Sequence, residues 1–341
     1  MNTASDAGTT PVNAGAPAAT TADPPQAPRL STRQRLAAVS WPELAAPAAL
    51  VLLVVGFGIA DPGFLASGNL GAMVQAAAIL VILVLGQTFV VATAGIDLSV
   101  ASTMTLSAIA LGETYSRTSS ILLAVVVALV TGVAVGCLNG LLITKGGITD
   151  FIVTLGMLSA ASGAALILAD GKPTQVIDRF LLDLTVSGFG VVTWAVLLAL
   201  LLAVLAHLLL FRTAFGTHLL AVGGSVRAAR ATGVRTDRVK IAAYALSGAC
   251  AGIAAVLLVG RVGAAEPASN TSFLLNSVAA VVLGGVSLFG GRATILSPVA
   301  GALLLTALVN GLTRFGLSEF YQPLAVGVVV IAAAFLARFD R

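Results

Sequence analysis

The sequence predicts an all-α polytopic membrane protein with about ten transmembrane helices and both termini in the cytoplasm. Three observations lead there. Only 9% of the 341 residues are charged and 58% are hydrophobic, whereas soluble globular chains carry about 25% charged residues and need them to cover their surface. The apolar residues fall in successive runs of about 17–25, the length that crosses a bilayer. Lys and Arg concentrate between those runs, the pattern that orients spans in a membrane.

Residues 1–40 begin MNTASDAGTTPVNAGAPAATTADPPQAPRL, rich in Ala, Pro, Thr and Gly with almost nothing to bury. This composition predicts a disordered cytoplasmic tail, and it lacks the charged start and apolar core of a signal peptide. Residues 41–341 form the transmembrane domain. Spans are expected near 44–60, 70–93, 97–112, 120–143, 150–169, 190–211, 238–260, 273–289, 295–313 and 320–337. The third and eighth are short or rich in Gly and Ser, which suits re-entrant or broken segments. An even number of crossings puts both ends on one side. With both inside, only Arg117, Lys172, Arg179, Arg261 and Arg314 of the 18 Lys and Arg fall outside, as the cytoplasmic excess of cations requires. A faint repeat is also present. Val84-Leu85-Gly86 recurs as Val282-Leu283-Gly284 and Leu98-Ser99 as Leu296-Ser297, both a shift of 198, and transporters are often built from duplicated halves.

One long basic connection, at about 212–240, separates the sixth and seventh spans. Within FRTAFGTHLLAVGGSVRAARATGVRTDRVK, the stretch Ser225 to Thr232 reads as a short helix. Ser225 suits an N-cap and Gly233 a C-terminal glycine. Gly223 and Gly224 bound it on the other side, and Arg227 and Arg230, three apart, share a face. Two readings fit: a basic loop that only fixes topology, or a docking helix for a cytoplasmic partner.

Several chemistries are excluded. The pI of about 9.5 reflects an excess of only four cations, spread between spans, so no nucleic-acid face exists. Cys137 and Cys250 sit among small apolar residues without CxxC spacing, and His207 and His218 form no helical ligand pair, so no metal site is expected. Gly171-Lys172 is followed by Pro173 rather than a phosphate-binding loop, and neither HExxH nor GxSxG occurs. The chain is therefore not expected to be an enzyme. An ion-coupled carrier places ionisable groups within its spans, and Asp97 is the one clear instance. The chain offers a path without an engine, which a separate ATPase on the 212–240 loop would supply.

Asp97 lies in GQTFVVATAGIDLSVAS (86–102). Gly95 followed by Asp97 and Leu98-Ser99-Val100 is a helix-start pattern, in which the carboxyl accepts from free amides and complements the helix dipole. Alternatively, Asp97 or Ser99 meets solute or gates the path. Gln87, Asn139, Thr154, Asn276, Asn310 and Gln322 are the other candidates for path or gate, against a plain role in interhelical hydrogen bonds worth about 0.6–2 kcal/mol each. Gly132, Gly136 and Gly140, and Gly248 and Gly252, keep GxxxG spacing and read as close helix packing.

GQTFVVATAGIDLSV (86–100), NGLLITKGGITDFIVTLGM (139–157), AVGGSVRAARATGV (221–234), VAAVVLGGVSLFGG (278–291) and FYQPLAVGVVVIAAAFL (320–336), in that order, resemble the permease subunits of ATP-binding-cassette importers for simple sugars, the ribose permease type. This chain differs in having Val226 and Arg227 where the docking loop commonly has Glu-Ala, and Leu274-Leu275-Asn276 where Glu-Leu-Asp is common. Thr149-Asp150 also replaces a frequent Pro, and Ala293 a frequent Gly. The resemblance implies a type II importer permease fold in a bacterial plasma membrane, forming the path for a monosaccharide or polyol. It further implies no cofactor on this chain, ATP and Mg on a partner ATPase, a second permease copy and an external solute-binding protein, all in contact with membrane lipid. Branched-chain amino acid or nucleoside importers, and a self-sufficient ion-coupled carrier, are the competing readings.

Overall fold

A computed structural model describes residues 41–268, 271–318 and 320–336; the expected tail at 1–40 lies outside them. The regular structure of the described chain is helical apart from two pairs of two-residue strands. It is an all-α polytopic membrane protein, with six helices that are long and apolar enough to cross a bilayer among the described residues.

The helices are α1 (Trp41–Ala60), α2 (Ser67–Ala92), α3 (Val100–Thr118), α4 (Ile121–Thr144), α5 (Asp150–Leu168), the short α6 (Arg179–Val186), α7 (Trp194–Arg212), α8 (Ala214–Gly224), α9 (Val226–Ala231), α10 (Thr236–Val262), α11 (Thr271–Leu283), α12 (Leu296–Arg314) and α13 (Tyr321–Leu336). Their connections gather at two opposite ends. At one, β1 (Thr174–Gln175) pairs antiparallel with β4 (Ala264–Ala265), and Arg314 meets Asp61 at 2.6 Å. A second small pair, β2 (Gly188–Phe189) with β3 (Val192–Thr193), lies between α6 and α7. At the other end, Lys145 and Arg230 both meet Asp237, and Gly291 donates to the Ala92 carbonyl.

α2 and α10 form the centre. Every residue of α2 from Ala77 to Ala92 is buried. α10 packs against α4, α2 and α3, and its closest approach is to α4. A Cβ on Gly132 would stand 2.2 Å from the Gly248 carbonyl oxygen, and one on Gly136 2.2 Å from that of Tyr244. Main chain meets main chain there, which only glycine allows; this is the packing that GxxxG spacing predicts where hydrophobic attraction between helices is absent.

α3 explains why the third span reads weakly. It carries Ser102, Thr103, Thr105 and Ser107, all buried, and is enclosed by α4, α5 and α10. A helix walled by protein is freed from matching lipid. Two of these hydroxyls return to the chain's own carbonyls, Ser102 Oγ to that of Ser99 at 2.9 Å and Thr105 Oγ1 to that of Ala101 at 3.1 Å, while Ser107 Oγ finds no partner among the described residues. It starts three residues later than the expected 97–112 because residues 95–99 are held in a turn, and it runs on to Thr118. The expected eighth span, α11, likewise stops at Leu283 rather than 289, since Gly285, Gly290 and Gly291 all take positive φ. α7, by contrast, exposes Leu200, Leu201, Val204 and Leu205, the surface expected against acyl chains.

The shift of 198 carries α1–α4 onto α10–α13 in order, and the break before α3 onto the break before α12. α1 packs on α12 as α10 packs on α3. Packing thus follows the faint repeat.

Candidate functional site

The break between α2 and α3 is built by its own residues. Thr93 turns its Oγ1 back to the Val90 carbonyl at 2.8 Å, Ala94 takes a left-handed φ of 59°, and the Gly95 amide donates to the same Val90 carbonyl. The chain then reverses into Asp97. Asp97 Oδ1 accepts from the Ser99 amide at 2.9 Å and from Ser99 Oγ at 2.7 Å. Oδ2 accepts from Ser247 Oγ of α10 at 2.8 Å. Asp97 therefore fixes the turn that precedes the N-cap, Ser99, rather than capping α3 itself.

Neighbouring elements converge on the same turn. Gln87 Nε2 of α2 donates to the Asp97 carbonyl at 2.7 Å, and Asn139 Nδ2 of α4 to Ser99 Oγ at 2.8 Å. The Ile96 carbonyl accepts from Thr154 Oγ1 of α5 and from the Tyr244 hydroxyl of α10, each at 3.2 Å. Gln87, Asp97, Ser99, Asn139 and Thr154, five of the eight path or gate candidates, thus form one cluster, and all are buried. Gln87 Oε1 and Asn139 Oδ1 find no donor among the described residues.

The other three candidates lie apart. Asn310 pairs reciprocally with Asn69, Nδ2 to Oδ1 at 2.9 and 3.1 Å, near the opposite end. Gln322 Nε2 donates to Thr313 Oγ1 at 3.1 Å. Asn276 is half-buried on α11. Two cluster members, Tyr244 and Ser247, escaped the sequence reading. Their signal was a hydroxyl pair three apart in an apolar span, but Ser247 adjoins Gly248 and reads as small-residue packing.

The 212–240 connection is a hook of two helices, not one. Thr213 Oγ1 accepts from the Gly216 amide at the start of α8, and Ser225 Oγ from the Ala228 amide at 3.2 Å at the start of α9. Gly233 follows with φ 85°, so α9 has the caps that its sequence predicts. Arg227 is exposed, whereas Arg230 bonds Thr236 Oγ1 at 2.8 Å and Asp237 at 2.9 Å. Arg230 pins α9 to the start of α10, while Lys145, at the end of α4, holds the same carboxylate at 3.0 Å. Gly223 is pressed against the Ala92 carbonyl and the Gly291 amide; a Cβ there would stand 1.9 and 2.5 Å from them. Gly224 in turn lies against Gly291. The hook therefore touches the backbone of both helix breaks.

At the far end, the Arg314 guanidinium bonds Asp61 and holds its carboxyl below the usual carboxylate range.

Long apolar helices, a polar cluster at a broken span and a capped two-helix hook packed on the helix breaks define a polytopic membrane protein. Residues 69–337 match the family described as branched-chain amino acid transport system / permease component. The chain belongs to that family. Among its relatives are the ribose import permease proteins of Bacillus subtilis, 36% identical over 85% of this chain and 90% of the relative, and of Escherichia coli K12, 33% identical over 84% and 90%. The fructose import permease protein of Rhizobium meliloti is 33% identical over 86% and 84%. No solved structure matches the chain.

Proposed function

We propose that the chain is the permease subunit of an ATP-binding-cassette importer and forms the path for a monosaccharide. The observation that carries the sugar reading is that relatives covering most of the chain import different monosaccharides, ribose and fructose, under one sequence pattern. The cluster at the α2–α3 break adds chemical support. Apart from Asp97 and Asp150, whose carboxylate accepts from the Tyr244 hydroxyl at 3.4 Å, its side chains are amides and hydroxyls, groups suited to passing polyhydroxyl solutes without holding them tightly. Buried and mutually bonded, the cluster keeps the break shut in this conformation and lines a path only once it separates.

Our reading has ten crossings with both termini cytoplasmic. α2, α4, α5, α7, α10 and α12 are the six long apolar spans, and α1, α3, α11 and α13 are taken as the other four. The hook end carries Lys145, Arg230, Arg235 and Arg238, and this local excess of cations supports a cytoplasmic reading of that end. A second copy of this chain completes the channel, an external binding protein delivers solute, and a separate ATPase seated on α8 and α9 supplies ATP and Mg chemistry. Branched-chain amino acid or nucleoside import is the alternative within the class, given the family's description.

Reconstitution in liposomes with the ATPase and the binding protein tests this. Uptake of radiolabelled pentoses or hexoses that requires ATP on the ATPase side is the expected result. Uptake by the chain alone, driven by a proton or sodium gradient, overturns it, and selective uptake of leucine or a nucleoside overturns the sugar assignment.

A further inference from the structure

At the hook end, between the end of α4 and the start of α10, lies a cavity of about 400 Å³ lined by Lys145, Arg230, Arg235, Arg238, Asp237 and Val234 among others. Four cations face one carboxylate. That carboxylate is shared by Lys145 at 3.0 Å and Arg230 at 2.9 Å, while Arg235 and Arg238 have no ion-pair partner among the described residues. Arg235 also occupies the N-cap of the 27-residue α10 without a side-chain cap, where the helix presents free amides and the positive end of its dipole. Charge, cavity and helix end agree on an anion.

The surroundings indicate which anion. On α4, Leu138, Leu141 and Leu142 are exposed, and their spacing continues to Lys145 three and four residues on, so all four share one face. An apolar stripe thus leads along a membrane-crossing helix and ends on a lysine of the cavity. A free phosphate has no use for that stripe; a diacyl lipid has. Basic pockets between transmembrane helices at the cytoplasmic side hold anionic headgroups in this manner.

We propose that this cavity binds the phosphate headgroup of one anionic phospholipid, with an acyl chain laid along the α4 stripe. The proposal rests on the permease reading only in placing this end at the bilayer surface, and its test needs no transport.

The experiment is native mass spectrometry of the purified full chain titrated with phosphatidylglycerol. One tightly held lipid per chain is expected. The double substitution Arg235→Gln with Arg238→Gln should weaken it about ten- to thirty-fold, at about 1 kcal/mol per cation, whereas Arg292→Gln, an exposed cation at the same end but outside the cavity, should leave it unchanged. Leu141→Asn should weaken the lipid without touching the cations. Arg238→Gln alone carries the test if the double variant does not fold. Equal binding of phosphatidylcholine, full binding by the arginine variants or an equal loss in Arg292→Gln overturns the proposal. Displacement of the lipid by millimolar inorganic phosphate assigns the cavity to free anions and overturns the lipid source.

Discussion

Replacing Asp97 tests whether the turn before α3 depends on its carboxyl. Three donors end on that side chain: the Ser99 amide, Ser99 Oγ and Ser247 Oγ. In Asp97→Leu, Ser247 can turn back to a carbonyl of its own helix, and Ser99 Oγ still receives Asn139 Nδ2. The Ser99 amide has no such resort, and a buried donor left unpaired costs about 1–3 kcal/mol. Adding the two weakened hydroxyl bonds at about 1 kcal/mol each gives a loss of about 3–5 kcal/mol. In Asp97→Asn, the carbonyl oxygen keeps both Ser99 bonds and the amide donates to Ser247 Oγ, so the loss should be about 1 kcal/mol. The half-buried thiols Cys137 and Cys250 report unfolding to a thiol-reactive fluorogenic dye in detergent. At roughly 2 °C per kcal/mol for a chain of this size, the Leu variant should melt about 6–10 °C early and the Asn variant about 2 °C early. Equal losses, or a larger loss for Asn, refute the reasoning.

Gly136→Ala should cost about 1–3 kcal/mol by overpacking, because its Cβ meets the Tyr244 carbonyl oxygen. Gly156→Ala on α5 meets nothing within 4 Å and should be neutral or stabilising by up to about 1 kcal/mol; the same dye assay compares them. Asp61 has a lowered pKa when folded, so its contribution is present above the unfolded value near 3.8 and is lost as pH falls through the folded one. The gap in melting temperature between wild type and Asp61→Asn should stay constant from pH 7 to about 4.5 and close below 3.8; a gap that closes near neutrality contradicts the assignment. Arg227→Glu should reduce co-purification with the ATPase while leaving the melting curve unchanged. Arg230→Glu should reduce both, since it also breaks the bond to Asp237.

The sequence showed most plainly what local chemistry decides. α9 was legible because Ser225 and Gly233 are cap residues whose roles need no tertiary partner. Close packing of α4 and of α10 was legible because Gly132, Gly136, Gly248 and Gly252 repeat at the spacing of one helix face, but that the two helices pack on each other came from the structure. The start of α3 was misplaced by three residues, since Asp97 has the sequence of a cap but its oxygens are taken by the turn and by Ser247, 150 residues away. α8 was hidden because its glycines at 216, 223 and 224 resemble a loop; they are there for close contact with Leu210, Ala92 and Gly291. The Asn69–Asn310 pair joins the starts and ends of distant spans, and nothing within either segment announces it. The cluster was half-legible: its amides stand out in apolar spans, but Tyr244 and Ser247 pass for packing residues.

The meeting of Gly223, Ala92 and Gly291 leaves the hook and the two interrupted spans no slack. A side chain between them would act as a cushion, swinging to a new rotamer when pushed; bare peptide has no such give. A tilt of α8 would press first on these two interruptions, since bare backbone is all that lies between.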